Sequence, residues 1–258
     1  MVILFGSYAR GTWVEDIYTE KGTVYEYKSD YDLLIVTTHD DFGKNQKIEK
    51  RITENTAGEV RTPIGLIFHS VKHLNQALAM GNYFFKDIKK EGIVLYDTQK
   101  FKLQNPKKLT TEEAKQKAQG YFDQWFTSAN KFFKLYNFAF SENDNHEAAF
   151  LLHQATERYY TTILLVFTDY RPKQHDLERL DSRAINCNQR FNVFPRTTKE
   201  EQQRFKLLQR AYIDARYKMD EYGITKEELH YLSDRVSDLK RLTAEICQEK
   251  IIQIGEAE

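Results

Sequence analysis

The chain lacks an excess of charge of either sign: 38 Lys and Arg meet 38 Asp and Glu over 258 residues. Divided near residue 109, neither half gains the positive surplus that would hold a long polynucleotide by neutralising its phosphates. Extended nucleic-acid binding is therefore not supported, whereas a small anionic ligand needs only a local site. Cysteine is scarce too. Cys187 and Cys247 stand far apart without metal-type spacing, which suits a reducing cytoplasm. No apolar run is long enough to span a membrane, and the opening Met1–Phe5 has no charged leader before it meets Gly6. These absences predict a cytoplasmic protein with no membrane partner. No internal repeat or low-complexity tract is found.

What the chain does have is aromatic side chains, 14% of residues and concentrated in its middle, enough for a substantial core. The first hundred residues alternate short apolar runs with polar segments. Val2–Phe5, Leu33–Val36 and Ile64–Phe68 have the β-favouring make-up of buried strands. Thr12–Lys28, with Lys21-Gly22 at its turn, reads as an extra hairpin or ordered loop. Val71–Met80 and Tyr83–Lys90 read as helices, and Ile93–Tyr96 as a closing strand. A linker follows around Asn105-Pro106, and everything beyond it reads as helix. Thr110 with Glu113, Thr198 with Glu201 and Thr225 with Glu228 are capping-box pairs. The expected fold is an α/β domain over 1–100 (a small mixed sheet with helices), a linker over 101–109, and an all-α antiparallel helical bundle over 110–258.

Two polar constellations stand out. In the first, Gly6-Ser7-Tyr8-Ala9-Arg10-Gly11 follows directly on a strand, and Ser29-Asp30-Tyr31-Asp32 leads into another. A Gly-Ser turn opening a helix aims backbone N–H groups at phosphate oxygens, and glycine lets the backbone come close. Asp30 and Asp32, two apart on a strand, project to one face, where they can share one or two Mg²⁺ ions with a triphosphate.

This pairing resembles the DNA polymerase β-like nucleotidyltransferases, whose signature is a Gly-Ser-x-Ala-Arg-Gly turn followed by an Asp-x-Asp strand. The resemblance implies that Gly6 and Ser7 hold the β- and γ-phosphates, that Asp30 and Asp32 are catalytic metal ligands, and that Arg10 helps to position the nucleotide. It also implies an NTP substrate, with ATP the expectation, and Mg²⁺ as cofactor, with room for two ions. Three departures accompany it. The spacing from Gly11 to Asp30 is longer than in compact members. Members usually carry a helix ahead of the first strand, whereas Met1 nearly touches the motif. Third, the family places a further acidic residue on a following strand, where this sequence has Gly65; Glu59 lies close in sequence and could substitute, although it reads rather as a solvated loop acid.

The second constellation lies in the helical half. His153 and Glu157 sit one helical turn apart, and with Lys173 and Arg216 they could form a second polar pocket. The alternative is that His153 bonds Glu157 or a backbone carbonyl inside the bundle. His175-Asp176 follows, with Asp176 a candidate helix cap. The segments around His153–Arg158, His175–Leu177 and Ala211–Tyr217 resemble the HEPN domain, in particular the branch fused to nucleotidyltransferases. Many HEPN domains are ribonucleases with an Arg followed five to seven positions later by a His. That pair is missing, since Arg171 and His175 are too close together and lie in a loop, so RNA cleavage is not expected.

The sequence therefore predicts Mg²⁺-dependent transfer of a nucleoside monophosphate, AMP from ATP, to an unidentified protein or small-molecule acceptor. The alternative is a nucleotide-binding or sensing module whose transfer is impaired by Gly65, and a toxin–antitoxin-like fusion is a third reading. Phe122, Phe126, Phe133 and Phe138 lie off the main apolar stripe of the first long helix, which predicts a homodimer formed through the helical half.

Overall fold

The computed structural model describes residues 1–13, 15–20, 23–39, 46–56, 59–60, 62–172 and 175–256. Two compact units divide the chain: Met1–Asp16 with Tyr27–Leu109, and Ile17–Glu26 with Thr110–Glu258.

The first unit is built on a four-stranded sheet. Its strands are β1 (Val2–Phe5), β4 (Tyr31–Thr37), β5 (Ile64–Ser70) and β6 (Ile93–Tyr96), in the order β5-β4-β1-β6. β1 runs antiparallel to both β4 and β6, whereas β4 and β5 are parallel. A parallel pair needs a crossover, and this one contains α2 (Gln46–Thr56), a helix the sequence reading did not pick out. The expected hairpin is present as β2 (Glu15–Glu20) and β3 (Thr23–Lys28), while its Lys21-Gly22 turn lies outside the described residues.

Alternation along β4 buries Asp32, Leu34 and Val36 and leaves the intervening residues half-buried. Directly opposite residues in a sheet share a face, so Ile3, Leu34 and Ile67 form one row across the sheet, and Phe5, Asp32 and Gly65 form the next. The first row is apolar and buried. Helices α3 (Val71–Ala79) and α4 (Tyr83–Glu91) supply Leu74, Leu78, Phe85 and Ile88 to the same core. Phe84 of α4 meets Phe5 edge-on, with ring centroids 5.5 Å apart. Asp32 thus stands one step beyond a hydrophobic row, at the margin of the core.

Residues 101–109, read as a linker, are strapped to this unit. Lys89 Nζ donates to the carbonyls of Leu103 (3.2 Å) and Gln104 (2.9 Å) and to Asn105 Oδ1 (2.9 Å). Gln104 N donates to Asn75 Oδ1 at 2.8 Å, and Lys107 N to the Leu78 carbonyl at 2.9 Å.

Apart from the hairpin residues Ile17–Glu26, the second unit is helical: α5 (Thr111–Ser141), α6 (Asn145–Thr168), α7 (Leu177–Cys187), α8 (Lys199–Arg210), the short α9 (Asp214–Tyr217) and α10 (Lys226–Glu256). All three expected capping boxes form. Glu113 N, Glu201 N and Glu228 N donate to Thr110, Thr198 and Thr225 Oγ1, and each glutamate accepts from its threonine's backbone N–H. Asp176 caps α7 as expected. α6 runs through the middle, packed against α5, α7, α8, α9 and α10. It keeps its buried hydroxyls satisfied by bonding them back one turn: Thr156 to the Leu152 carbonyl and Thr161 to the Glu157 carbonyl, both at 2.8 Å.

This packing absorbs most of the phenylalanine surplus on α5. Phe122 is buried, and Phe126 and Phe133 pack against the core, while Leu135 and Phe138 remain exposed. No helix among the described residues is long and apolar enough to cross a membrane.

Candidate functional sites

Gly6 opens α1 (Gly6–Arg10) with φ +78°, a conformation that favours glycine. Its neighbour across the sheet makes glycine doubly necessary. A Cβ on Gly6 would lie 2.6 Å from Asp32 Oδ2, because β1 and β4 are registered with Phe5 opposite Asp32. No side chain caps α1 at Phe5, and the chain turns back at Gly11 so that Thr12 N donates to the Ser7 carbonyl at 2.9 Å. Ser7 Oγ is buried and has no hydrogen-bond partner in the protein. Buried hydroxyls are rarely left unsatisfied.

On the other flank, Gly65 lies opposite Asp32 in the parallel β4–β5 pair. A Cβ there would sit 3.1 Å from Asp32 Oδ1 and 3.2 Å from Asp30 Oδ2. The sequence-predicted residues Gly6, Ser7, Asp30 and Asp32 are therefore brought together, with Gly65 at the same face as both carboxylates. Arg10 is exposed in the last turn of α1, where its charge acts on Asp87 of α4. Burial raises the Asp87 carboxyl above its usual range, and this outweighs the lowering by neighbouring cations. Glu59 is exposed, and among the described residues no group of three or more His, Cys, Asp or Glu is placed to hold a metal.

The helical constellation assembles in a different pairing from the expected one. Glu157 does not take His153 as its partner; it accepts from His175 Nδ1, at 3.1 Å to Oε1 and 3.0 Å to Oε2. His153 is fully buried, and neither ring nitrogen has a hydrogen-bond partner. The His153 ring packs on Tyr212 at a centroid distance of 5.3 Å, and His175 packs on the same tyrosine at 4.7 Å. Burial, followed by the charges of His175 and Arg216, pushes the His153 pKa down to about 3 and holds the ring neutral. Arg216 donates through Nε to the Tyr212 carbonyl at 2.8 Å and through Nη2 to the same oxygen. Its guanidinium also lies against the rings of Phe150, Tyr212 and Tyr217. Lys173, the fourth residue expected here, lies outside the described residues. Sequence reasoning missed Tyr212 as the hub. Its signal is faint, since an aromatic four residues before an arginine is ordinary helix packing.

A buried aspartate that the sequence did not single out lies in the same unit. Asp181 of α7 accepts from Tyr160 OH at 2.6 Å and pairs with Arg196, whose guanidinium stacks over Phe205.

Residues 122–247 match the family model described as the HEPN domain, so the helical unit carries that domain from within α5 to within α10. No curated protein matches the chain.

Proposed function

We infer that the sheet unit binds a nucleoside triphosphate together with Mg²⁺, with the phosphates on the Gly6-Ser7 turn and the ion on Asp30 and Asp32. The buried Ser7 hydroxyl carries this reading: it lacks a partner in the protein, lies in the first turn of an uncapped helix, and follows the glycine that Asp32 Oδ2 crowds. A phosphate oxygen would satisfy it and the N–H groups of the turn. Carboxylate oxygens on one face suit Mg²⁺, which prefers a few acidic ligands plus substrate phosphates. When bound, the ion would neutralise phosphate charge and polarise the phosphoryl group. ATP is the expected nucleotide on the resemblance given above.

Transfer of AMP to an acceptor is the more demanding form of this reading. It needs a base for the attacking hydroxyl, and Gly65, which lies beside both carboxylates, holds the position where the resemblance places a third acid. That favours a unit that binds or senses the nucleotide, with the HEPN domain as the element that responds to occupancy.

Asp32→Asn tests the assignment. Its Mg²⁺-dependent affinity for ATP, measured by calorimetry, is expected to fall at least tenfold while the thermal melt stays nearly unchanged. Equal metal-dependent affinity in variant and parent would refute it.

A further inference from the structure

We propose that Gly65 makes this a one-metal site: the protein binds a single divalent ion with its nucleotide and has no seat for a second. The proposal rests on the nucleotide-binding reading and concerns how many ions that site takes.

Gly65 is registered opposite Asp32, and its missing side chain would begin 3.1 Å from Asp32 Oδ1 and 3.2 Å from Asp30 Oδ2. A carboxylate projecting from that point would face the other two closely enough to share ions with both, because Mg²⁺ binds oxygens at about 2.1 Å. Glycine removes those two oxygens and one negative charge from the position where they would complete a second shell. No further His, Cys, Asp or Glu among the described residues completes a group of three there.

The ion that remains belongs with the phosphates, between Asp30, Asp32 and the Gly6-Ser7 turn. An ion that would lower the pKa of an acceptor hydroxyl has no protein anchor. Gly65 thereby separates holding a nucleotide from spending it.

The experiment uses the full chain with Mn²⁺ and an ATP analogue that cannot be cleaved between its α- and β-phosphates, counting bound Mn²⁺ by electron paramagnetic resonance. The parent is expected to hold one ion per bound nucleotide and Gly65→Asp two. Gly65→Ala, the steric control, should hold one. Two ions in the parent would overturn the proposal, as would a Gly65→Asp protein that melts normally, keeps the nucleotide and still holds one. Should Gly65→Asp fail to fold, the parent's own count decides, and Gly65→Glu offers the carboxylate on a longer arm. If the parent holds neither nucleotide nor protein-dependent Mn²⁺, the nucleotide-binding reading itself fails, which is a different result from a count of two.

Discussion

Asp32 and Asp181 are both buried aspartates, one in each unit, and they are buried in opposite company. Asp181 receives a tyrosine hydroxyl and a guanidinium, so its charge is answered by side chains of its own fold. Asp32 is set against two glycines and has Asp30 on its own face. A buried charge is tolerated when it is paired and hydrogen-bonded. The first arrangement therefore reads as architecture, whereas the second brings two carboxylates together where the proposed ion would sit. The second polar cluster of the helical unit sides with Asp181: Glu157 takes His175, and Arg216 takes the Tyr212 carbonyl.

The sharpest way to break this contrast is Asp181→Asn. Arg196 would lose its anionic partner, and removing one member of a buried pair costs about 3–5 kcal/mol. Urea denaturation is expected to show a loss of that order. Stability equal to the parent would erase the distinction between the two aspartates. Next in size is Gly6→Ala, which places a Cβ 2.6 Å from Asp32 Oδ2 at a positive φ. Strain of this kind costs on the order of 1–3 kcal/mol, and Mg²⁺-dependent ATP binding should be lost with it. Unchanged binding would show that the turn does not need its glycine.

A third effect comes from His153. Its folded pKa is pushed far below the usual histidine value, so the unfolded chain takes up a proton that the folded chain refuses. Stability should then fall as pH drops below about 6.5, by up to about 1.4 kcal/mol per pH unit. Denaturant midpoints between pH 6.5 and 5 are expected to slope more steeply for the parent than for His153→Gln. Parallel slopes would mean that the ring is protonated in the folded protein. The smallest change is that of Asp32→Asn in the absence of nucleotide, expected within about 0.5 kcal/mol of the parent.

Local signals were the legible part of this chain. The capping boxes, the Asp176 cap and the β-favouring runs each state their structure within a few residues, and all took the expected form. The turn and the Asp-x-Asp strand could be placed together because each adjoins an apolar run, and strand alternation fixes which face the acids share. Gly65 could be suspected from its strand, but only the register with Asp32 puts it beside the carboxylates. α2 escaped notice because Ile48 and Ile52 are its only apolar residues, too narrow a stripe to announce a helix. The partner of Glu157 could not be read either. Spacing puts His153 on the same helical face, whereas the histidine that binds it arrives on a loop that only the tertiary fold brings back. The phenylalanine surplus is explained in part by the same tertiary packing: α6 and α10 both press on α5, so much of a helix apolar on several faces is covered within its own unit.

The strap over residues 101–109 also matters for how the chain can be cut. Lys100, Lys102, Lys107 and Lys108 offer a trypsin-like protease four targets in a stretch without regular secondary structure. A protease must draw several residues into an extended line, and here the ammonium of Lys89 grips three oxygens of the strap while Lys107 N is tied to the end of α3. Cleavage at Lys102 and Lys107 must therefore wait for those bonds to open. The nicking rate becomes a clock for that opening, and neutralising the single charge of Lys89 by acetylation would make the clock run faster.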